Sequence, residues 1–288
     1  MTESIFIAEG ERVVPSAHAR GPWDPGALHG GAPAALITAA FERMEPGSEL
    51  HIARLGFEFL RPIPFAPLTL STRFVRRGRR VQELACELTT GTHSPEGWVG
   101  GGAPDLGSAG EELIARASAL RVQEVPADLP APPTSARESS SPPEPQPLPP
   151  PAAGTAIRFA LDDSTDSSFA ATAMEMRWLS DPRALGPGRV WMRLRHPLLP
   201  GEEPTALARL AATADFGNGV SAALPFDRFL FINADLTIHL QRQPEGEWIG
   251  LEARTLLHGG GTGLTESVLH DQRGPLGRAF QTLVVQPR

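Results

Sequence analysis

The chain has 288 residues, with no lysine, no tyrosine and one cysteine, Cys86. All 26 cationic side chains are therefore arginine. That excludes Schiff-base catalysis and a phosphate-loop lysine. Without tyrosine, no phenol can serve as a catalytic acid. A single cysteine excludes an internal disulfide and a multi-cysteine metal site. No uninterrupted apolar run reaches the ~18 residues of a membrane span. The first ten residues are acidic and lack an apolar signal-type stretch. The expectation is a cytoplasmic protein with no membrane span. The net charge of −7 offers no basic footprint for nucleic acid.

What is present supports a sizeable core. Hydrophobic residues make up 41% of the chain, enough for one large domain or two small ones. Two alanine-rich stretches, 29–41 and 205–219, read as the same part used twice. Each is a small-residue helix followed by a run of strands. The first helix is expected over about 29–44, ended by Pro46-Gly47. The second is expected to start near Pro204 and to stop at Gly217-Asn218-Gly219. Before the first helix, 5–8 and 12–14 read as short strands turned at Gly10.

Period-2 alternation marks strands over 51–59, 68–74 and 84–88, and 113–122 is read as a fourth. Glycine-rich sequence over 97–110 reads as a long loop. Residues 123–155 hold 11 of the 30 prolines, so this stretch is expected to be an extended linker. The second half then offers strands over 171–178, 189–195, 229–240, 247–256, 263–270 and 277–286. The predicted organisation is one unit over 1–122, a linker over 123–155 and a second unit over 156–288.

Four places carry candidate chemistry. Asp215 shares a helical stripe with Leu207 and Ala211, near a helix C-terminus. Burial and the helix dipole would both disfavour its charge there, which suits a general base. Alternatively the helix ends earlier, and Asp215 bonds its own backbone in a turn. On 229–240 the even positions are apolar. The odd face turns polar at Asn233, which is either solvated or aimed into a cleft lined by Phe229 and Phe231. Gln281 lies among Ala279, Leu283 and Val285, so its amide must be hydrogen-bonded. It either bridges strands or holds a water or a substrate carbonyl. His29-Gly30-Gly31 opens the first helix, where free N–H groups stabilise developing negative charge and glycine allows close approach. Tight helix–sheet packing explains the glycines equally well, and His29 reads as a cap or loop histidine.

Other features carry less. Arg76-Arg77-Gly78-Arg79-Arg80 reads as a solvated turn. His196, His239, His258 and His270 have no metal-ligand spacing. Gly259-Gly260-Gly261 reads as a turn rather than a phosphate loop.

These residues resemble the double hot-dog acyl-CoA thioesterases of the thioesterase II type. The resemblance rests on the Gly-Gly helix start, the linker, the second helix with Asp215, the 231–236 strand and the 274–281 strand. It implies an α+β fold in which two antiparallel sheets each wrap round a central helix. It implies hydrolysis of an acyl-CoA thioester without a cofactor or metal. The exposed outer sheet faces of such a chain would allow further association as a homo-oligomer. That family orients its water with an Asp, a Thr or Ser, and a Gln. Asp215 and Gln281 match the first and last. Asn233 stands at the hydroxyl position, with Thr237 as a neighbour that could substitute. His29, Gly30, Gly31, Thr237 and Phe231 would then line the substrate. A binding protein that has lost catalysis is the alternative. A hot-dog hydratase would need a His five residues after the Asp, where this chain has Val220.

Overall fold

The computed structural model describes residues 3–91, 110–124, 145–158 and 167–288. The loop expected over 97–110 and most of the proline-rich linker lie outside the described residues.

Each half builds the same part. In the first, β1 (Phe6–Glu9) and β2 (Arg12–Pro15) form a hairpin. Then come α1 (Gly31–Arg43), β3 (Leu50–Phe59), β4 (Leu68–Arg77), β5 (Val81–Gly91) and β6 (Glu111–Gln123). The second half opens with β7 (Thr155–Ala156), β8 (Met174–Trp178) and β9 (Gly188–Leu194). It continues with α2 (Ala206–Ala214) and the single turn α3 (Gly217–Val220). Its last strands are β10 (Phe229–Asn233), β11 (Asp235–Leu240), β12 (Ile249–His258), β13 (Thr262–Asp271) and β14 (Gly274–Pro287).

The spatial order exposes the repeat. One half runs β2-β4-β5-β6-β3 and the other β9-β12-β13-β14-β11, and each helix is inserted at the same point of its series. Antiparallel pairing of β3 with β11, Gly56 opposite Thr237, joins them into one 14-stranded sheet. This is the double hot-dog architecture. The alternation read from sequence is met on β5, where Leu84, Cys86 and Leu88 are all buried.

The two helices pack against each other in opposite directions. At one end Gly31 meets the carbonyl of Ala212, and a Cβ on Gly31 would lie 2.6 Å from that oxygen. At the other end the Thr205 hydroxyl donates to Glu42 at 2.6 Å, and Arg43 pairs with Glu202. Buried alanines at 32, 34, 35, 208, 211 and 212 keep the axes close. Small side chains thus serve helix-on-helix contact as well as packing under the sheet. The antiparallel arrangement brings the start of α1 to the end of α2.

Four expectations are corrected. Residues 171–173 belong to a wide helical turn, Phe169–Ala173, not to a strand. Ser168 caps that turn, and such side-chain caps compete with strand pairing. The second helix ends at Ala214, and Gly217-Asn218-Gly219 forms a helical turn rather than a stop. The strand over 229–240 is broken at Ala234, whose N–H donates to Thr282 and whose carbonyl accepts from Phe59. The extra residue there reverses which positions face inward. Phe231 is buried and Ile232 is 44% exposed, whereas beyond the break Leu236 and Ile238 are buried. Finally, the end of the proline-rich stretch is docked. Pro149 accepts from the Trp191 indole at 2.7 Å, Pro151 is buried, and β7 pairs with β8.

Candidate active site

Asp215 caps the C-terminus of α2 in helical conformation and is 4% exposed. The α2 dipole opposes a negative charge there. The start of α1 supplies the opposite dipole end, because Gly30, its N-cap, lies against the carboxylate. A Cβ on Gly30 would sit 2.8 Å from Oδ2 and 3.1 Å from Oδ1. The juxtaposition of two helix ends gives this buried carboxylate a compensating field.

Three side chains from separate elements converge on it. Asn233 Nδ2 donates to Oδ1 at 2.5 Å. His29 Nδ1 lies 3.0 Å from Oδ2. Gln281, 1% exposed, donates through Nε2 to the Asp215 carbonyl at 3.1 Å and reaches Oδ1 at 3.5 Å. Its Oε1 accepts the Asn218 N–H at 3.1 Å. The Gln281 amide therefore staples the junction between α2 and α3 and fixes the direction of Asp215. Asn233 reaches the carboxylate because of the break at Ala234, which turns the end of β10 inward.

His29 has competing partners. Its Nδ1 also stands 3.0 Å from the Gly31 N–H. One ring nitrogen carries either a proton or a lone pair, so it cannot accept from Gly31 while donating to Asp215. A proton on Nδ1 completes the bond to Asp215 and releases the Gly31 N–H for another acceptor. Phe216 stacks on the imidazole at 4.3 Å, and Phe169 lies 5.1 Å from it. A second aromatic run, Phe231–Phe226–Trp23, leads from the strand of Asn233 to the surface, with centroid spacings of 5.6 and 5.3 Å.

Thr237 is not among the converging residues. It lies beyond the break, on the outer face of β11. There it lines a cavity of about 540 Å³ with Arg54, Glu58, Arg73 and Arg116. Cys86 is buried, and burial pushes its thiol up to about 12, which removes it as a nucleophile. The Arg76–Arg80 turn joins β4 to β5 at the surface, where Arg77 lies over the Phe74 ring.

The sequence reading missed the pairing of His29 with Asp215. The hydratase pattern calls for a His just after the Asp, whereas this His comes from the other half of the chain. No spacing rule links the two, and only the antiparallel helix pair brings them together. Phe169 and Phe216 were missed for the same reason.

Comparison with known proteins agrees with this architecture. The acyl-CoA thioesterase N-terminal domain profile matches residues 19–121, and the C-terminal domain profile matches residues 136–285. Among solved structures, one from Novosphingobium aromaticivorans, classed as a thioesterase, superposes with TM-score 0.65 at 18% identity, covering 97% of this chain and 98% of its own. A hot-dog protein from Alicyclobacillus acidocaldarius gives TM-score 0.64 at 17% identity, covering 98% of this chain and 95% of its own. The acyl-CoA thioesterase II TesB2 of Mycobacterium marinum gives TM-score 0.60 at 14% identity, covering 100% of this chain and 95% of its own. No curated protein matches the sequence significantly. Among the described residues no helix is long and apolar enough to cross a membrane. With both of its domain profiles matched in order along a duplicated hot-dog fold, the chain belongs to the acyl-CoA thioesterase family.

Proposed function

We propose that the protein hydrolyses acyl-CoA thioesters to a carboxylic acid and CoA, with Asp215 as the base that activates water. The observation that carries this reading is the convergence of Asn233, His29 and Gln281 on one buried carboxylate. Asp215 takes a proton from water as the water oxygen bonds to the thioester carbonyl carbon. The negative charge moves to the carbonyl oxygen, and the Gly31 N–H at the start of α1 is its candidate donor. Collapse of the tetrahedral species breaks the C–S bond, and the proton held at Asp215 returns to the departing CoA sulfur. Asn233 and the protonated Nδ1 of His29 hold the carboxylate during this exchange. Gln281 acts through Asp215 and is a positioning residue. Asn233 takes the place of a family hydroxyl, and as a donor to Oδ1 it orients the base without relaying a proton.

The apolar walls suit an acyl chain. Phe169 and Phe216 flank His29, and Phe231 lies two residues before Asn233. The test is free-thiol release from acyl-CoAs of graded chain length. Release above background for at least one chain length is expected, and none from any of them would overturn the hydrolase reading in favour of a binding protein.

The His29–Asp215 pair also favours a second reading, because it restores the acid–base pair that the linear hydratase pattern denies this chain. In that reaction water adds across the double bond of a 2-enoyl thioester, and the thioester stays intact. A 2-enoyl-CoA separates the two: loss of the conjugated double bond without thiol release selects hydration.

A further inference from the structure

We propose that Glu3, His18 and His196 form a binding site for a divalent transition-metal ion of the zinc type, at the junction of the two halves. The three residues come from separate segments: the approach to β1, the turn Ala17–Ala19, and the residues just after β9. Their candidate ligand atoms all lie within 4.8 Å of one another. No linear spacing relates them, so the sequence conceals the cluster.

One of the two proton arrangements at His18 leaves room for a cation. The Thr172 hydroxyl has one proton, and both the Ser168 carbonyl at 3.0 Å and His18 Nδ1 at 2.9 Å lie within its reach. When the Ser168 carbonyl takes it, the Thr172 oxygen accepts from His18 Nδ1. With the proton on Nδ1, the Nε2 of a neutral ring carries a lone pair. That lone pair faces Glu3 Oε2 at 3.0 Å. Two acceptors at this distance require a cation between them, either a proton or a metal. A tetrahedral zinc ion with ligands near 2.1 Å would hold such a pair about 3.4 Å apart, a small displacement from the spacing present. The Nδ1–Thr172 bond is the kind of outer contact that fixes the tautomer of a metal-binding histidine.

His196 supplies the third donor. Its ring stacks on His18 at 4.1 Å with planes 22° apart. Ring lone pairs lie in the ring planes, so coordination would turn one ring out of the stack. The backbone holds the segments together, since Ile5 donates to Pro197 and Phe6 to Leu198, each at 2.9 Å. Two imidazoles and a carboxylate suit Zn²⁺, Co²⁺ or Ni²⁺, and not Ca²⁺ or Mg²⁺, which favour all-oxygen sites. The site lies beside the catalytic region, because Ala19, next to His18, accepts the backbone N–H of His29.

The test uses the tag-free full chain titrated with Zn²⁺ by calorimetry and with Co²⁺ by visible absorption. One ion per chain is expected, with a rise in the thermal midpoint. Glu3→Gln and His196→Ala should each weaken binding at least about 10-fold, and Thr172→Val should do so through His18. Glu3 is 74% exposed, so its substitution does not threaten the fold. Absence of stoichiometric binding, or binding unchanged by Glu3→Gln and His196→Ala, would overturn the proposal.

Discussion

Replacing Gly30 with alanine isolates the position of the Asp215 carboxylate from everything else in the site. Gly30 has helical backbone angles, φ −57° and ψ −28°, so the main chain accepts any residue there. The added methyl carbon would meet Asp215 Oδ2 at 2.8 Å, Oδ1 at 3.1 Å and Cγ at 3.2 Å, and ordinary contact begins near 3.4 Å. The carboxylate must therefore retreat by roughly 0.5 Å, the tolerance within which a catalytic group is useful. A displacement of 1 Å costs on the order of 100-fold in rate, so this one should cost about 10-fold in kcat. KM should change little, since no substrate-lining side chain is removed. Alanine at a compatible backbone position also limits the unfolded chain, worth about 0.4–1 kcal/mol. The contact with Asp215 opposes that gain. The assay is steady-state thiol release, with thermal unfolding measured alongside. In an Asp215→Ala background the contact disappears, and Gly30→Ala should no longer lower the midpoint. Wild-type kcat in Gly30→Ala, or equal destabilisation in both backgrounds, would refute the argument.

Three further outcomes follow from named contacts. Asn233→Ala removes a hydrogen bond to a charged, buried acceptor, so denaturant unfolding should show a loss of about 1.5–3 kcal/mol, and kcat/KM of the folded protein should fall about 10- to 100-fold. Burial alone would raise the Asp271 carboxyl. The Arg242 guanidinium and the N–H groups of Arg273 and Glu245 outweigh it and hold that carboxyl below its usual range. Arg242→Ala removes the paired charge and leaves this buried carboxylate only its two backbone N–H donors, and denaturant unfolding should show a loss of about 3–5 kcal/mol at neutral pH. His270 is buried, and burial lowers its pKa from 6.5 to about 4. A depressed imidazole contributes stability above its unfolded pKa and loses it as pH falls. Between pH 6.5 and 4 the unfolded chain takes up the proton first, at a cost of at most about 3 kcal/mol. His270→Phe should flatten the unfolding free energy over that window, and an unchanged slope would contradict the assignment.

The sheet and both helices were legible because their cause is local. Alternation at Leu84, Cys86 and Leu88, and the glycine and alanine at the start of α1, leave little choice of structure. Asp215 and Gln281 could be singled out as polar groups on apolar faces. The direction of Asn233 could not be fixed, because one inserted residue at Ala234 reverses the strand's parity and no composition rule marks it. That same reversal separates Thr237 from the site it was expected to support. His29 was noticed as part of a helix start, yet its partner lies in the other half of the chain. A contact between two helix ends depends on how the halves dock, and periodicity carries no record of that.

The central claim is that the Asp215 carboxylate activates water. Asp215→Asn tests it most directly, because the shape is kept and the base is removed. Thiol release from the preferred acyl-CoA should fall by about 100- to 10,000-fold, the range that general bases supply, while the thermal midpoint stays close to wild type. Retention of wild-type kcat by a folded Asp215→Asn protein would contradict the account.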